Sequence, residues 1–312
     1  MPFSEHVGGM KVHRKAPDVV YVGLKRSAST FLRGYFDGHP QVVWQRESLS
    51  IMDDETYGMP HGGLTREVPS SSVFIEVNEL LATGLITQKG NTWEAHRICP
   101  DKSFSAAGCR VDPVEVAHRV KQLCPEARII LTLRNQVEWI RTHYRVFMGL
   151  MPAQRFRLSD FLSTLEGQMV VYAGHFHATV QAYFRYFGRD RVFVTLFEDI
   201  RDSEEETIAS LCKFIDIAPL PYDPRYRRYN QGPGNEDVRI KRWLSRMGLR
   251  PEDFGYLKPL GKKLSSILPR RILEQDILTA DERRMMAALY SVSNHHTGRL
   301  LGIDLGQRGY PW

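Results

Sequence analysis

Five short apolar runs decide most of what this chain can fold into. They are DVVYVGL (18–24), QVVW (41–44), VFIEV (73–77), RIILTL (128–133) and RVFVTLF (191–197). Each is rich in Val or Ile and is bounded by polar or turn residues. They do not alternate polar with apolar, so they read as strands buried on both faces, which means a mainly parallel sheet. The longer segments between them carry helical spacing. Asp112–Leu123 opens with Asp-Pro, a capping residue followed by proline at the first helical position. Residues 159–187 read as one long helix or two, and Ser203–Ile215 opens with SEEE, acidic residues suited to a helix N-terminus. Strands alternating with helices predict a layered α/β protein with a central, mainly parallel sheet flanked by helices. We expect a flexible N-terminal lead-in over 1–17, then a single α/β domain over 18–312 with insertions near 50–70 and 145–175.

The formal net charge of +6 favours an anionic ligand. The positive residues are scattered, with modest clusters at 225–242 and 262–271. They are not interleaved with aromatics along one face, so no nucleic-acid partner is expected. No segment approaches the ~20 apolar residues of a membrane span, and the N-terminal stretch lacks the apolar run of a secretory signal. Cys99, Cys109, Cys124 and Cys212 match neither a zinc site nor a small disulfide scaffold. They read as free thiols, with a Cys99–Cys109 bridge as the open alternative, and the expected location is cytoplasmic. His295 and His296 are adjacent on a helical segment and face different directions, so no metal site is expected there.

The first run leads straight into KRSASTFLRGYFDGHP (25–40). A helix that follows a strand presents unpaired backbone N–H groups and a partial positive charge, a ready site for an anion. At that junction stand two cations, Lys25 and Arg26, and three hydroxyls, Ser27, Ser29 and Thr30. The stretch is neither G-x-x-x-x-G-K-[ST] nor G-x-G-x-x-G. A plain helix cap by Ser27 or Ser29 with solvated basic neighbours is the alternative. A further cation, Arg134, directly follows the fourth run, where the carboxyl edge of a parallel sheet opens to a ligand crevice. Thr142 lies eight residues further on, about two turns along the next helix, with a hydroxyl to offer.

These two stretches resemble those of sulfotransferases that use 3′-phosphoadenosine 5′-phosphosulfate (PAPS). Arg26-Ser27-Ala28-Ser29-Thr30-Phe31-Leu32, closed by His39-Pro40, is similar to the family's 5′-phosphosulfate loop, with Ala28 where glycine is usual. Arg134 and Thr142 stand where the family holds the 3′-phosphate with Arg and Ser. The resemblance implies a P-loop-like three-layer α/β fold, PAPS as sulfuryl donor, no metal requirement, and a hydroxyl-bearing small-molecule or glycan acceptor (an amine in some members). Lys25, Arg26, Ser27, Ala28, Ser29, Thr30 and Phe31 would contact the donor at one end, Arg134 and Thr142 at the other.

It further implies the catalytic roles. Glu47 lies twenty-one residues after Arg26, where the carbohydrate and tyrosyl-protein branches keep a general base; Glu76, Glu79 and His96 are the alternatives. Arg26, with Lys25, is expected to stabilise the leaving phosphate, and Lys102, thirty-two residues before Arg134, is a further cation. The stretch 229–243 stands where the family covers the adenosine end, with Arg239 and Lys241 offered to the 3′-phosphate and Tyr229 to adenine. Glu198 and Asp199 are read as structural, capping or ion-paired. Two other functions stay open: a donor-binding member that transfers nothing, and a nucleotide-dependent kinase-like enzyme. The second needs a magnesium-holding acid and a glycine-rich cradle, and the sequence offers neither.

Overall fold

The computed structural model describes residues 3–7, 10–14, 17–24, 26–46, 72–77, 85–89, 92–94, 109–150, 158–221, 223 and 278–312. Along the chain, β1 (Phe3–Val7) and β2 (Met10–Arg14) pair as an antiparallel hairpin inside the lead-in, where the sequence pattern predicts no strand. Then come β3 (Val19–Tyr21), β4 (Val42–Arg46) and β5 (Val73–Val77). Strands β6 (Leu85–Lys89), β7 (Thr92–Glu94) and β8 (Cys109–Val111) make a small antiparallel sheet in the order β7-β6-β8, which the sequence reading missed. Strands β9 (Arg128–Leu133) and β10 (Val192–Leu196) complete the set.

All five apolar runs supply strands of one sheet, in the order β10-β9-β3-β5-β4, and every pairing in it is parallel. The helices are α1 (Ser29–Phe36), α2 (Pro113–Leu123), α3 (Gln136–Leu150), α4 (Leu158–Ser163), α5 (Leu165–Ala173), α6 (Phe176–Phe187), α7 (Phe197–Asp202), α8 (Glu204–Ile215) and α9 (Ala280–Leu301). Alternate strand residues feed two cores. Val20, Ile129, Leu131 and Leu133 pack with α2, α3, α6 and α9 on one face. Val19, Tyr21, Ile75 and Ile130 pack with α1 and α8 on the other. Because both faces are covered, the strands show no polar alternation.

Local chemistry explains the helix ends. The Asp112 carboxylate accepts the Glu115 amide N–H at 2.9 Å, the cap expected from Asp-Pro. Helix α9 opens with a reciprocal capping box between Thr279 and Glu282. The segment 159–187 is broken twice and forms three helices with 158. Thr164 caps α5 by accepting the Gly167 N–H at 3.0 Å, and Gly174 separates α5 from α6. Gly174 has no room for a side chain, since a Cβ there would lie 2.7 Å from the Tyr290 ring. The insertion expected near 145–175 is in part core: Leu158, Phe161, Val170 and Ala173 are buried in the larger cluster. Among the described residues no helix is long and apolar enough to cross a membrane.

The strand order places the site. β3 lies at the centre, the chain leaves it for β4 on one side, and it later returns to β9 on the other. The order reverses between β3 and β9, so their carboxyl ends flank an open crevice.

Candidate active site

The loop after β3 is built from its backbone outward. The Leu24 N–H donates to the Thr132 carbonyl on β9 at 3.2 Å, so the chain stays tied to the neighbouring strand up to the turn. Tyr21 folds its side chain back over Gly23 and donates its hydroxyl to the Ser27 carbonyl at 3.0 Å. A Cβ at Gly23 would meet the Tyr21 hydroxyl at 2.2 Å, so only glycine fits. Arg26 and Ala28 both adopt left-handed backbone, φ 65° and 72°. Two non-glycine residues in that region within three positions store strain at one place.

Ala28 is the N-cap of α1 and has no side chain to offer the helix. The amides of the first turn therefore receive no hydrogen bond from the capping side chain. Beneath them, the Ser27 hydroxyl is fully buried and has no hydrogen-bond partner. A buried hydroxyl left unbonded costs about 1–3 kcal/mol.

Arg134 joins the two halves. It follows β9, and its Nη1 donates to the Arg26 carbonyl at 2.6 Å, hooking the β9 end to the loop. Its guanidinium carbon lies 4.2 Å over the Phe197 ring, while its Nε is buried with no hydrogen-bond partner. Burial pushes the Arg134 pKa down, opposed by the charges of Glu198 and Glu138 and aided by Arg145. Thr142 occupies α3 as expected, and its hydroxyl donates to the Glu138 carbonyl at 2.8 Å.

Three cations missed by sequence reasoning, Arg141, Arg145 and Arg283, belong to the same neighbourhood. Arg145 is pushed down first by burial, then by the like charges of Arg141 and Arg26. Glu138 is the acid among them, bridging Arg141 at 2.9 Å and Arg283 at 3.3 Å. Burial opposes its ionisation, but these two cations outweigh burial and hold its pKa below the usual value. The signal was present in the sequence: Glu138, Thr142 and Arg145 follow i, i+4, i+7 spacing, one face of α3.

Asp199 is ion-paired as expected, whereas Glu198 is held by a backbone amide and a tyrosine hydroxyl. Glu198 accepts the Asn135 N–H at 3.1 Å and the Tyr310 hydroxyl at 2.6 Å, and Asp199 pairs with Arg308. Glu76 lies on β5, in register with Val20 and Gln45. Lys25, Glu47, Glu79, His96, Lys102, Tyr229, Arg239 and Lys241 lie outside the described residues. The strand that precedes Glu47, β4, is parallel to β3 and two places from it, so Arg46 ends on the same sheet edge as the loop. A separate groove of about 600 Å³ runs along the free edge of β10, lined by Val192–Leu196, Asp199 and Arg308, and touches none of the loop.

Comparison with known proteins bears on this geometry. A family model described as "Sulfotransferase family" matches residues 17–222, a span that takes in the loop after β3 and Arg134. The chain belongs to the sulfotransferase family. No curated protein matches it. Among solved structures, a sulfotransferase from Alicyclobacillus acidocaldarius is 15% identical with a TM-score of 0.58, covering 95% of this chain and 99% of that one. The sulfotransferase domain from the curacin biosynthetic pathway is 12% identical with a TM-score of 0.42, covering 70% and 80%. Mouse sulfotransferase SULT7A1, complexed with PAP, is 10% identical with a TM-score of 0.44, covering 96% and 97%. The sulfotransferase fold of this chain is thus the P-loop-like α/β architecture with an all-parallel central sheet.

Proposed function

We propose that this chain transfers a sulfuryl group from PAPS to a hydroxyl of a small-molecule or glycan acceptor in the cytoplasm. The observation that carries the reading is the union of two anion clamps. A buried, unbonded Ser27 hydroxyl lies just before the N-terminus of α1, and Arg134, directly following the neighbouring strand β9, hooks the same loop. That pairing suits a ligand with phosphate at both the 5′ and the 3′ position.

In this scheme Arg26, Ser27 and the first-turn amides of α1, with Lys25, Ser29, Thr30 and Phe31 around them, hold the 5′-phosphosulfate. Arg134 and Thr142 hold the 3′-phosphate, with Arg239, Lys241 and Tyr229 covering the adenosine. Thr142 must turn its hydroxyl from the Glu138 carbonyl to reach a phosphate, a small rotation that exchanges one acceptor for another. Glu47 takes the proton of the acceptor hydroxyl as that oxygen attacks sulfur. The bond from sulfur to the 5′-phosphate oxygen breaks in line, and the electron pair stays on the departing phosphate. Arg26 and Lys102 meet the charge that develops there.

The test is transfer of a radiolabelled sulfuryl group from PAPS to a panel of phenols, alcohols and glycans. Labelled product that appears with the wild type and fails with Glu47→Gln supports the reading. Tight donor binding with no transfer to any acceptor, and no donor hydrolysis, would favour a donor-binding protein instead.

A further inference from the structure

Arg134 and Glu198 pose a problem of pairing. A buried guanidinium beside a carboxylate ordinarily takes it in a two-pronged salt bridge, among the strongest contacts available to either. Glu198 accepts the backbone N–H of Asn135, the neighbour of Arg134, and follows Phe197, whose ring Arg134 covers, yet the hydrogen bond Arg134 makes goes to the Arg26 carbonyl. Each Glu198 oxygen already accepts a hydrogen bond, and together the two fix how the carboxylate is turned: Oε1 accepts the Asn135 backbone N–H at 3.1 Å, and Oε2 accepts the Tyr310 hydroxyl at 2.6 Å. Arg134 is left with one hydrogen bond to the loop, a face against Phe197, and an unbonded Nε.

The segment that brings Tyr310 to this place is held along its length. The Gly309 carbonyl accepts from the Asn135 side-chain amide at 2.6 Å, and the Pro311 carbonyl from Asn294 at 2.7 Å. Asn294 itself exchanges hydrogen bonds with Gln136, one residue past Asn135. The Tyr310 N–H donates to the Leu305 carbonyl at 3.0 Å, and Arg308 pairs with Asp199 next to Glu198. Tyr310 is 3% exposed, so its hydroxyl does not turn aside to water. Burial and the Glu198 carboxylate push its pKa far up, so it remains a donor at any physiological pH.

We infer that Tyr310 is a positioning residue for the 3′-phosphate clamp: its hydroxyl fixes how the Glu198 carboxylate is turned and so keeps Arg134 for a phosphate of the ligand. The inference rests on the reading of Arg134 as that clamp. Remove the hydroxyl, and the Glu198 carboxylate is free to turn and accept from Arg134, setting the protein's own carboxylate against the ligand. Remove the Glu198 charge as well, and the competition ends.

The experiment is calorimetric titration of the full chain with 3′-phosphoadenosine 5′-phosphate (PAP) and with AMP, which lacks the 3′-phosphate. Wild type, Tyr310→Phe, Glu198→Gln, Tyr310→Phe/Glu198→Gln and Arg134→Ala are compared. Tyr310→Phe is expected to weaken PAP roughly tenfold, the scale of one charge-assisted hydrogen bond, and to leave AMP unchanged. The double variant is expected to regain most of that loss, which a merely structural role for Tyr310 does not permit. If Tyr310→Phe binds PAP like wild type, or if the double variant binds no better than Tyr310→Phe, the inference is wrong. Should Tyr310→Phe not fold, Glu198→Gln alone decides, with PAP affinity equal to or above wild type expected and a weaker affinity overturning the idea. Unchanged PAP binding by Arg134→Ala overturns the clamp reading itself, and this inference with it.

Discussion

Replacing Ala28 by glycine is expected to stabilise the protein, the reverse of its effect at an ordinary backbone position. Ala28 has φ 72° and ψ 5° at the N-cap of α1. An L-residue with a Cβ in that region costs roughly 1–2 kcal/mol, because the Cβ crowds the neighbouring carbonyl oxygen. Glycine removes the crowding but adds about 0.5–1 kcal/mol of chain entropy to the unfolded state. The difference leaves Ala28→Gly more stable by about 0.5–1 kcal/mol, or about 1–4 °C in Tm for a chain of this class. Ala28→Val should move the other way by at least as much, since a branched side chain fits a left-handed backbone worst. Urea unfolding of the three chains measures this directly, with the ordering of midpoints Gly, Ala, Val at unchanged slope. A glycine variant less stable than wild type by about 0.5–1 kcal/mol, the usual alanine-to-glycine loss, would refute the strained-loop account.

Other outcomes follow from the same loop and from the proposed chemistry. Ser27→Ala removes a buried hydroxyl without a hydrogen-bond partner. It should raise stability by up to ~1 kcal/mol in thermal unfolding while weakening PAP about tenfold, since only the ligand satisfies that group. Arg26→Gly relieves the φ of 65° but deletes a cation, so unfolding should be no easier while donor turnover falls; a variant that unfolds more readily would count against strain at that residue. Glu47→Gln should keep PAP affinity in calorimetry and lower turnover ~10²-fold or more, the scale of a lost general base. Undiminished turnover would move that role to Glu76, Glu79 or His96.

The sheet was legible because burial on both faces writes itself into sequence as continuous apolar runs, and each of the five runs supplied a strand. The loop and Arg134 were legible for a related reason. An apolar run followed directly by a helical pattern fixes where the turn between strand and helix falls, and so where these residues stand on the sheet edge. What escaped depends on distant partners. The breaks at Thr164 and Gly174 answer to Phe161, Tyr290 and Gln136, which local periodicity does not reveal. The hairpin of β1 and β2 and the sheet of β6, β7 and β8 come from segments too polar or short to register as strands. Glu198 was read as capping or ion-paired, and one of its two partners, Tyr310, stands 112 residues away. Arg145 shares a helix face with Thr142, yet only the folded loop brings Arg26 to bear on it.

The most direct test of the central claim is calorimetric titration of the wild-type chain with PAP and, separately, with AMP. The two-clamp account predicts that PAP binds at least ~10²-fold more tightly, because a 3′-phosphate held by Arg134 and a neighbouring hydroxyl contributes about 3 kcal/mol. Equal affinity for the two nucleotides, or no binding of PAP, would contradict it and leave the chain with the fold of a sulfotransferase but not its donor site.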